Sequence, residues 1–397
     1  MNGGPSSMPS DRGPSLLELL VIGPSNSRRV ADVVEAARPC GFSAILVKSY
    51  LDLLQNDVVL SPGTVVRLES PGGCPATTKA LLKAGIAPLE ALRRVPISEA
   101  EIDQLTCERG EMLHPRQWFL GWRKILTDLS VRWGNQDIEW MSTPERILTA
   151  FDKAACLENW SDAGLPIPRQ YRDVSTYSEL RRQIPERHAR VFVKLRYGYS
   201  AMGAVALEWR DHRVRAITTV ESVWTQGRPR LFLTKRPRQL QREFEIAWLI
   251  DTLGMEQIIV EDWLPKARWK GLPYDLRVVM INSRISHVVG RANASPFTNL
   301  NLDARRMSRE IVEQEIGSQW GELNVLCERA TRSLPGTGML GLDVLPRPGC
   351  RKFALLEANA FGDFLPRLQH GGLTTYEAEL QSMIRLSGAP LTGETGL

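Results

Sequence analysis

The chain has 397 residues, 43% of them hydrophobic, and a formal net charge of +5, so it carries apolar material for two or three packed units. No apolar run reaches membrane-spanning length, and the six cysteines (40, 74, 107, 156, 327 and 350) form neither a C-x-x-C pair nor a regular framework. Reduced thiols in a cytoplasmic protein are therefore expected, rather than disulfides or zinc. The mild positive charge suits an anionic small ligand and falls short of the concentrated basic stripe of a nucleic-acid binder.

Residues 1–15 are rich in Gly, Pro and Ser, lack the basic-then-apolar order of a signal peptide, and read as a disordered tail. Apolar runs at 16–22, 44–48 and 64–68, with a helical pattern at 27–37, make a β-α-β opening and predict a parallel sheet. The first turn, Gly23-Pro-Ser-Asn26-Ser, lacks G-x-G-x-x-G, which argues against a dinucleotide. Arg28, Arg29, Arg67 and Glu69 lie near strand ends, where they could line a cleft or be plain surface charge. Residues 75–150 read as mostly helical, with Trp118, Trp122, Trp133 and Trp140 as helix-to-sheet anchors. His114 to Trp118 could alternatively reach a substrate.

A new unit begins at Pro144. A helix from Asp152-Lys153 stops at Ala163-Gly-Leu-Pro-Ile-Pro168. A strand at 191–194 follows, then a glycine loop, a returning strand at 204–209, and two strands within 214–234. A helix is expected over 238–253, a strand at 257–261, a hairpin of 276–282 with 284–290, and a helix over 308–334.

Lys194 ends its strand and leads into Leu-Arg-Tyr-Gly198-Tyr-Ser200-Ala-Met-Gly203. Glycines here let a hairpin loop fold over a ligand with backbone N–H groups facing phosphate oxygens; the lysine adds a point charge and Ser200 a hydroxyl. It is not a Walker A loop. Near the C-terminal end, Gly341-Leu-Asp343-Val-Leu and Leu355-Leu-Glu357-Ala-Asn359 read as antiparallel strands joined by a turn at 347–352. Each places a carboxylate where a core strand should carry Leu or Val. Unpaired buried carboxylates are costly, so the set needs counter-charge. Three hard oxygen donors without Cys or His suit magnesium, although an acidic solvated hairpin gives the same pattern.

The order of these features resembles the ATP-grasp superfamily, over about residues 144 to 365. The resemblance implies an N-terminal parallel α/β (pre-ATP-grasp) domain at 16–143 with a helical extension. A two-lobed α+β ATP-grasp domain would follow, with a central/lid lobe at 144–263 and a C-terminal lobe at 264–397. By the resemblance, Lys153 and Lys194 touch the phosphates of ATP and Gly198 to Gly203, with Ser200, form the lid. The segment 260–263, with Glu261, Asp262 and Trp263, receives the adenine, and Asp275 lies near the ribose. Arg277 and Arg291 face the phosphates and an acyl phosphate, and Asp343, Glu357 and Asn359 hold magnesium. Asn299 and Asn301 lie on the approach to this site. Asp363 would bind a substrate amine or cap the next helix.

Two features depart from the family pattern. The lid carries Tyr197, Tyr199 and Met202 where smaller or polar residues are usual, and the spacing from Asp343 to Glu357 is long. The scattered histidines, His287 and His370 among them, read as core or surface residues. The implied activity is an ATP- and Mg-dependent carboxylate–amine ligase that works through an acyl phosphate. Two alternatives stay open. One is a ligase acting on a ribosomal peptide, with the tryptophans and basic helices between 110 and 145 as its docking surface. The other is a nucleotide-binding regulatory module without catalysis. The expected partners are a small-molecule carboxylate and amine, or a short peptide, with no nucleic acid and no membrane. A homodimer is compatible with all three readings.

Overall fold

A computed structural model describes residues 17–55, 58–185, 188–211, 213–225, 227–361, 365 and 368–387, apart from the side chain of Asn301. The expected tail, Asp363 and that side chain lie outside the described residues. The apolar runs near the start become β1 (Glu18–Ile22), β2 (Ala44–Lys48) and β3 (Thr64–Leu68), joined by α1 (Arg28–Ala37) and α2 (Tyr50–Gln55). With β4 (Ile138–Trp140) they form a parallel sheet in the order β2-β1-β3-β4. Between β3 and β4 run α3 (Pro75–Ala84), α4 (Ile86–Ala91), α5 (Glu99–Gln104) and the long α6 (Pro115–Trp133). Trp118, Trp122 and Trp133 are buried in the core. Phe119 of α6 stacks on Phe151 and Trp122 meets Phe151 edge-on, with Tyr197 stacked on Phe119 at 4.3 Å. The tryptophans of this region are thus anchors, and the peptide-docking surface expected from them is withdrawn.

Then come α7 (Pro144–Phe151), α8 (Lys153–Asp162), β5 (Gln170–Tyr171), α9 (Tyr177–Gln183) and β6 (His188–Leu195). β7 (Val205–Arg210), β8 (Arg213–Thr225), β9 (Arg228–Leu240), α10 (Glu243–Gly254) and β10 (Ile258–Asp262) complete a six-stranded sheet ordered β5-β10-β6-β7-β8-β9. The helix expected from 238 begins only at Glu243, because residues 238–240 still pair with 216–218 of β8. Alternation along β6 explains its two faces. Val191, Val193 and Leu195 join the lobe core with α9 and α10, while Phe192 and Lys194 face the other way, into a cleft.

The last sheet comprises β11 (Arg268–Trp269), β12 (Leu272–Ile281), β13 (Arg284–Ala292), β14 (Arg305–Met307), β15 (Leu340–Pro346) and β16 (Phe353–Asn359), in the order β14-β13-β12-β15-β16 with β11 on β12. The hairpin turn between β12 and β13 is Asn282-Ser283, both in the left-handed region (φ 49° and 58°), as a type I′ turn requires. The expected single helix splits at Gly317 into α11 (Arg309–Ile316) and α12 (Trp320–Arg332). Tyr274, Leu276, Val278 and Met280 of β12 share a core with α7, α8 and α12. Although 144–263 was expected to be one lobe, α7 and α8 therefore pack on the C-terminal sheet, and the middle sheet starts at Gln170. On the opposite face of β12, Val279 joins residues of the first sheet and of α13 (Thr375–Ser387).

That C-terminal helix is tied to the first sheet by charge. Arg67 is buried, with Nε donating to Glu69 Oε1 at 2.8 Å and Nη1 bonded to Glu379 of α13. Arg67 and Glu69 thus hold α13 in place and are neither cleft lining nor surface charge, whereas Arg28 and Arg29 do line the cleft.

The α3–α6 crossing depends on Gly121, where an added Cβ would lie 1.8 Å from Leu81 O. Gly121→Ala forces these helices apart, and we expect a loss of about 1–3 kcal/mol in urea-induced unfolding.

Candidate active site

One cleft of about 1130 Å³ lies between the three sheets and collects most of the predicted residues. The C-terminal sheet supplies its charged floor. Register places Asp275 opposite Arg291 and Arg277 opposite Asp343, which in turn faces Glu357. Asp275 and Arg277 share a face by the two-residue period, so these side chains form a single row across four strands. Arg277 Nε donates to Asp343 Oδ1 at 2.6 Å, and Arg291 bridges Asp275 Oδ1 (2.8 Å) and Asp343 Oδ2 (3.0 Å). Burial opposes ionisation of both aspartates. At Asp343 the two arginines overcome it, and at Asp275 Arg291 and Lys266 do so; each carboxyl is held below the usual carboxylate range.

A β-bulge brings Glu357 and Asn359 to this row. Val344 pairs with Leu355 while Asp343 pairs with Glu357, which leaves Leu356 as an extra residue. On one side of it Phe353 and Leu355 are core residues; on the other, Ala358 and Ala360 are. Without that insertion Glu357 would follow Leu355 into the core. Gly341 lies opposite Asn359, and its missing side chain leaves room for Arg277, whose Cδ would be 3.2 Å from an added Cβ.

The middle sheet supplies the roof. Lys194 is ion-paired with Glu261 of β10. Burial disfavours its charge, but Glu261 and Glu357 outweigh that and raise its pKa above the ordinary lysine value. Asp152 caps α8 through the N–H groups of Ala154 and Ala155, and Arg196 grips it with two bonds of 2.7 Å. This clamp sets Lys153 beside the end of β6, where Nζ donates to Gly198 O at 2.5 Å and lies 3.6 Å from Glu357 Oε2. Gly198 and Ser200 line the cleft. Gly203 instead turns back against Leu195: at φ 67°, an added Cβ would sit 2.4 Å from Leu195 Cδ1. Tyr197 and Met202 are buried, so the unusual lid residues anchor the loop and leave Tyr199 exposed at its tip.

Asp262 lines the cleft and accepts from Tyr171 O–H at 2.8 Å. Trp263 packs on Phe192 at 5.3 Å behind it. Phe192, Ala204 and Phe297 form an apolar slot beside this segment, and Glu261 Oε2 is buried there with no hydrogen-bond partner. Asn299 lines the cleft, whereas His287 is buried elsewhere between Ser286 Oγ and Leu373 O. Residue-by-residue reading missed Lys266 and Thr298: Lys266 Nζ bonds Asp275 Oδ2 (3.1 Å) and Thr298 Oγ1 (2.9 Å). Lys266 follows Pro265 in irregular chain, so no strand period marks it.

The arrangement fits a magnesium–nucleotide pair by chemistry. Five cations (Lys153, Lys194, Lys266, Arg277, Arg291) meet four carboxylates (Glu261, Asp275, Asp343, Glu357) in one partly buried site. Asp343, Glu357 and Asn359 offer oxygen donors alone, and each carboxylate oxygen has two lone pairs, so the arginines leave Asp343 capacity for a metal. The unpartnered Glu261 oxygen beside an apolar slot fits the amino edge of a flat base.

No protein-family model and no curated protein matches the sequence. Solved structures match over nearly the whole chain. The ATP-grasp ligase PsnB complexed with a minimal precursor is 16% identical, covering 92% of this chain and 98% of that one (TM-score 0.53). The macrocyclase MdnC from Microcystis aeruginosa MRC, bound with precursor peptide MdnA, is 12% identical over 93% and 99% (TM-score 0.50). A Chryseobacterium gregarium RiPP-associated ATP-grasp ligase, in complex with ADP and a leader and core peptide, is 13% identical over 96% and 99% (TM-score 0.50).

Removing one member of the charged row should expose its weight. Asp343→Asn leaves two buried guanidiniums under-paired and should lower stability at pH 7 by about 3–5 kcal/mol. Because the folded-state pKa of Asp343 is depressed, its contribution is full above about pH 4 and is lost as pH falls below that. Urea unfolding of parent and variant should therefore converge toward acid pH. A difference that is constant with pH would contradict the ion-pair origin.

From sequence order to register and cavity, the chain has the ATP-grasp fold.

Proposed function

We propose that the protein is an ATP- and magnesium-dependent ligase that activates a carboxylate as an acyl phosphate and joins it to an amine, with ADP and phosphate as products. The observation that carries this reading is the convergence, in one cleft under a glycine-bounded lid, of paired lysines, paired arginines and an all-oxygen donor set. Phosphoryl transfer needs positioning and charge neutralisation more than covalent help from the protein, and no Ser-His-Asp or Cys-His nucleophile is required.

The roles follow from position. Lys153 and Lys194 sit at the roof, where transfer of their bonds from Gly198, Glu357 and Glu261 to phosphate oxygens exchanges one set of ionic contacts for another. Asp343, Glu357 and Asn359 would hold magnesium, which supplies neutralisation of phosphate charge when bound. Asp275 fixes Arg291, and Asp343 orients Arg277, so both guanidiniums are aimed before any ligand arrives. A substrate carboxylate oxygen attacks the γ-phosphorus and its bond to the bridging oxygen breaks. The amine nitrogen then attacks the acyl carbon, loses a proton, and phosphate departs. The lid loop excludes water that would hydrolyse the acyl phosphate.

A peptide substrate is the second reading, and an exposed patch favours it. Trp224 on β8 is 61% exposed and Phe244 on α10 67% exposed. Trp248, one helical turn from Phe244, contacts Trp224 at 5.8 Å. Apolar side chains clustered in this way across β8 and α10 suit a docked peptide. The similar proteins complexed with precursors lend this reading support.

Lys194→Ala should weaken ATP–Mg binding by at least about tenfold, equivalent to about 1.4 kcal/mol, as measured by calorimetry. An unchanged affinity would refute the site assignment. Incubation with ATP, magnesium and hydroxylamine across a panel of acids should trap a hydroxamate from the activated acid. Formation of AMP and pyrophosphate would exclude the acyl phosphate route.

A further inference from the structure

The cations in the depth of the cleft are paired with carboxylates, and Arg28 and Arg29, which also line it, pair with Asp32 and Glu69; Arg109 and Lys235 differ from all of these. Arg109 and Lys235 both line the cleft and are exposed. Among the described residues neither has an ion-pair partner. The acids nearest Arg109 in sequence are engaged elsewhere: Glu108 and Glu111 both bind Arg230, at 2.7 Å each.

The backbone holds these two cations in place. Residues 110–112 add to the edge of β9, with Met112 N–H donating to Leu231 O and Leu233 N–H to Gly110 O, each at 2.8 Å. Arg109 is thus fixed at the strand that carries Lys235. Against β8, pairing of β9 jumps from Leu233↔Val220 to Arg238↔Thr218, so residues 234–237 bulge out of the ladder. Thr234 Oγ1 closes the bulge by bonding both the N–H and the C=O of Arg236, at 3.2 Å each. A bulge of this kind re-aims side chains at the rim of a site. Here Lys235 is turned to the cleft, and β9 reaches the turn Leu300–Leu302, next to Asn299.

We infer that Arg109 and Lys235 form a second anion subsite at the mouth of the cleft, which takes a carboxylate other than the one activated at the floor, so that the acid substrate is a chain carrying at least two carboxylates. This deepens the ligase reading and rests on it for the identity of the cleft. An acidic peptide segment meets the requirement, since one side chain reaches the floor while a neighbouring one stays at the rim. A nucleic acid does not, because tight binding there needs a longer track of phosphate contacts than two cations provide.

The test is fluorescence anisotropy with the full chain, using a labelled oligo-glutamate peptide and its oligo-glutamine counterpart. The glutamate peptide should bind at least about tenfold more tightly. The double variant Arg109→Ala/Lys235→Ala should abolish that preference while its ATP–Mg affinity and urea midpoint match the parent. Lys235→Arg should retain the preference. Unlabelled glutarate that displaces the glutamate peptide would assign the subsite to small diacids; failure to displace it would assign the subsite to a peptide. Equal affinity for the two peptides, an unaltered preference in the double variant, or oligo-dT binding as tightly as oligo-glutamate would each overturn the proposal. ATP–Mg failing to bind the parent, with the peptide preference intact, would count against the ligase reading alone.

Discussion

Everything in the cleft depends on keeping a row of opposite charges out of water. Asp275, Arg291, Asp343 and Arg277 lie on one sheet face, each nearly inaccessible to solvent, and each is tolerable only because the others are there. The arrangement is rigid because it is printed on strand register: three neighbouring strands set which side chain faces which. Guanidiniums fixed in this way need no reorganisation when negative charge develops in front of them.

The roof works by a softer principle. Lys153 and Lys194 are satisfied by Gly198 O, Glu357 and Glu261, contacts that a phosphate can replace without leaving a buried ammonium bare. Lys153 also joins the lid to the floor, since its partners are a lid carbonyl and a carboxylate of β16. Its position comes from the Asp152–Arg196 clamp, which ties the start of α8 to the end of β6. Loop, roof and floor are thereby connected through the hydrogen bond of Lys153 to Gly198 O and the ion pairs of Lys153 and Arg196.

The N-terminal domain contributes less chemistry and more shape. Its aromatic cluster on α6 receives Tyr197, so the base of the loop at 197–203 is anchored in a different unit from the sheet that carries it, while Tyr199 at the tip is exposed. Its buried Arg67 holds α13, and the same face of β12 that carries Asp275 and Arg277 continues as apolar Val279 beneath that helix. One sheet face thus changes from buried ion pairs to apolar packing within a single strand.

Much of this was legible in the residues. Alternation located β6, β10, β12, β15 and β16. Carboxylates at apolar positions marked Asp343 and Glu357, because burial without a partner would be too costly to tolerate, and the glycine loop marked Lys194; Glu261, Asp275, Arg277 and Arg291 came only with the resemblance. The spacing of Glu357 and Asn359 put them on one face. It could not say which face, since a regular strand would have placed Leu355 there too. Only the tertiary structure decided that, through the extra residue Leu356, because a bulge reflects pairing with a neighbouring strand and leaves no mark on local composition. The same holds for Arg67, whose partner on α13 lies far along the chain, and for Lys266, whose neighbours Asp275 and Thr298 meet only once the strands are paired. Sequence determined which residues must find partners; the fold chose the partners, because register and bulges are long-range properties of the sheets.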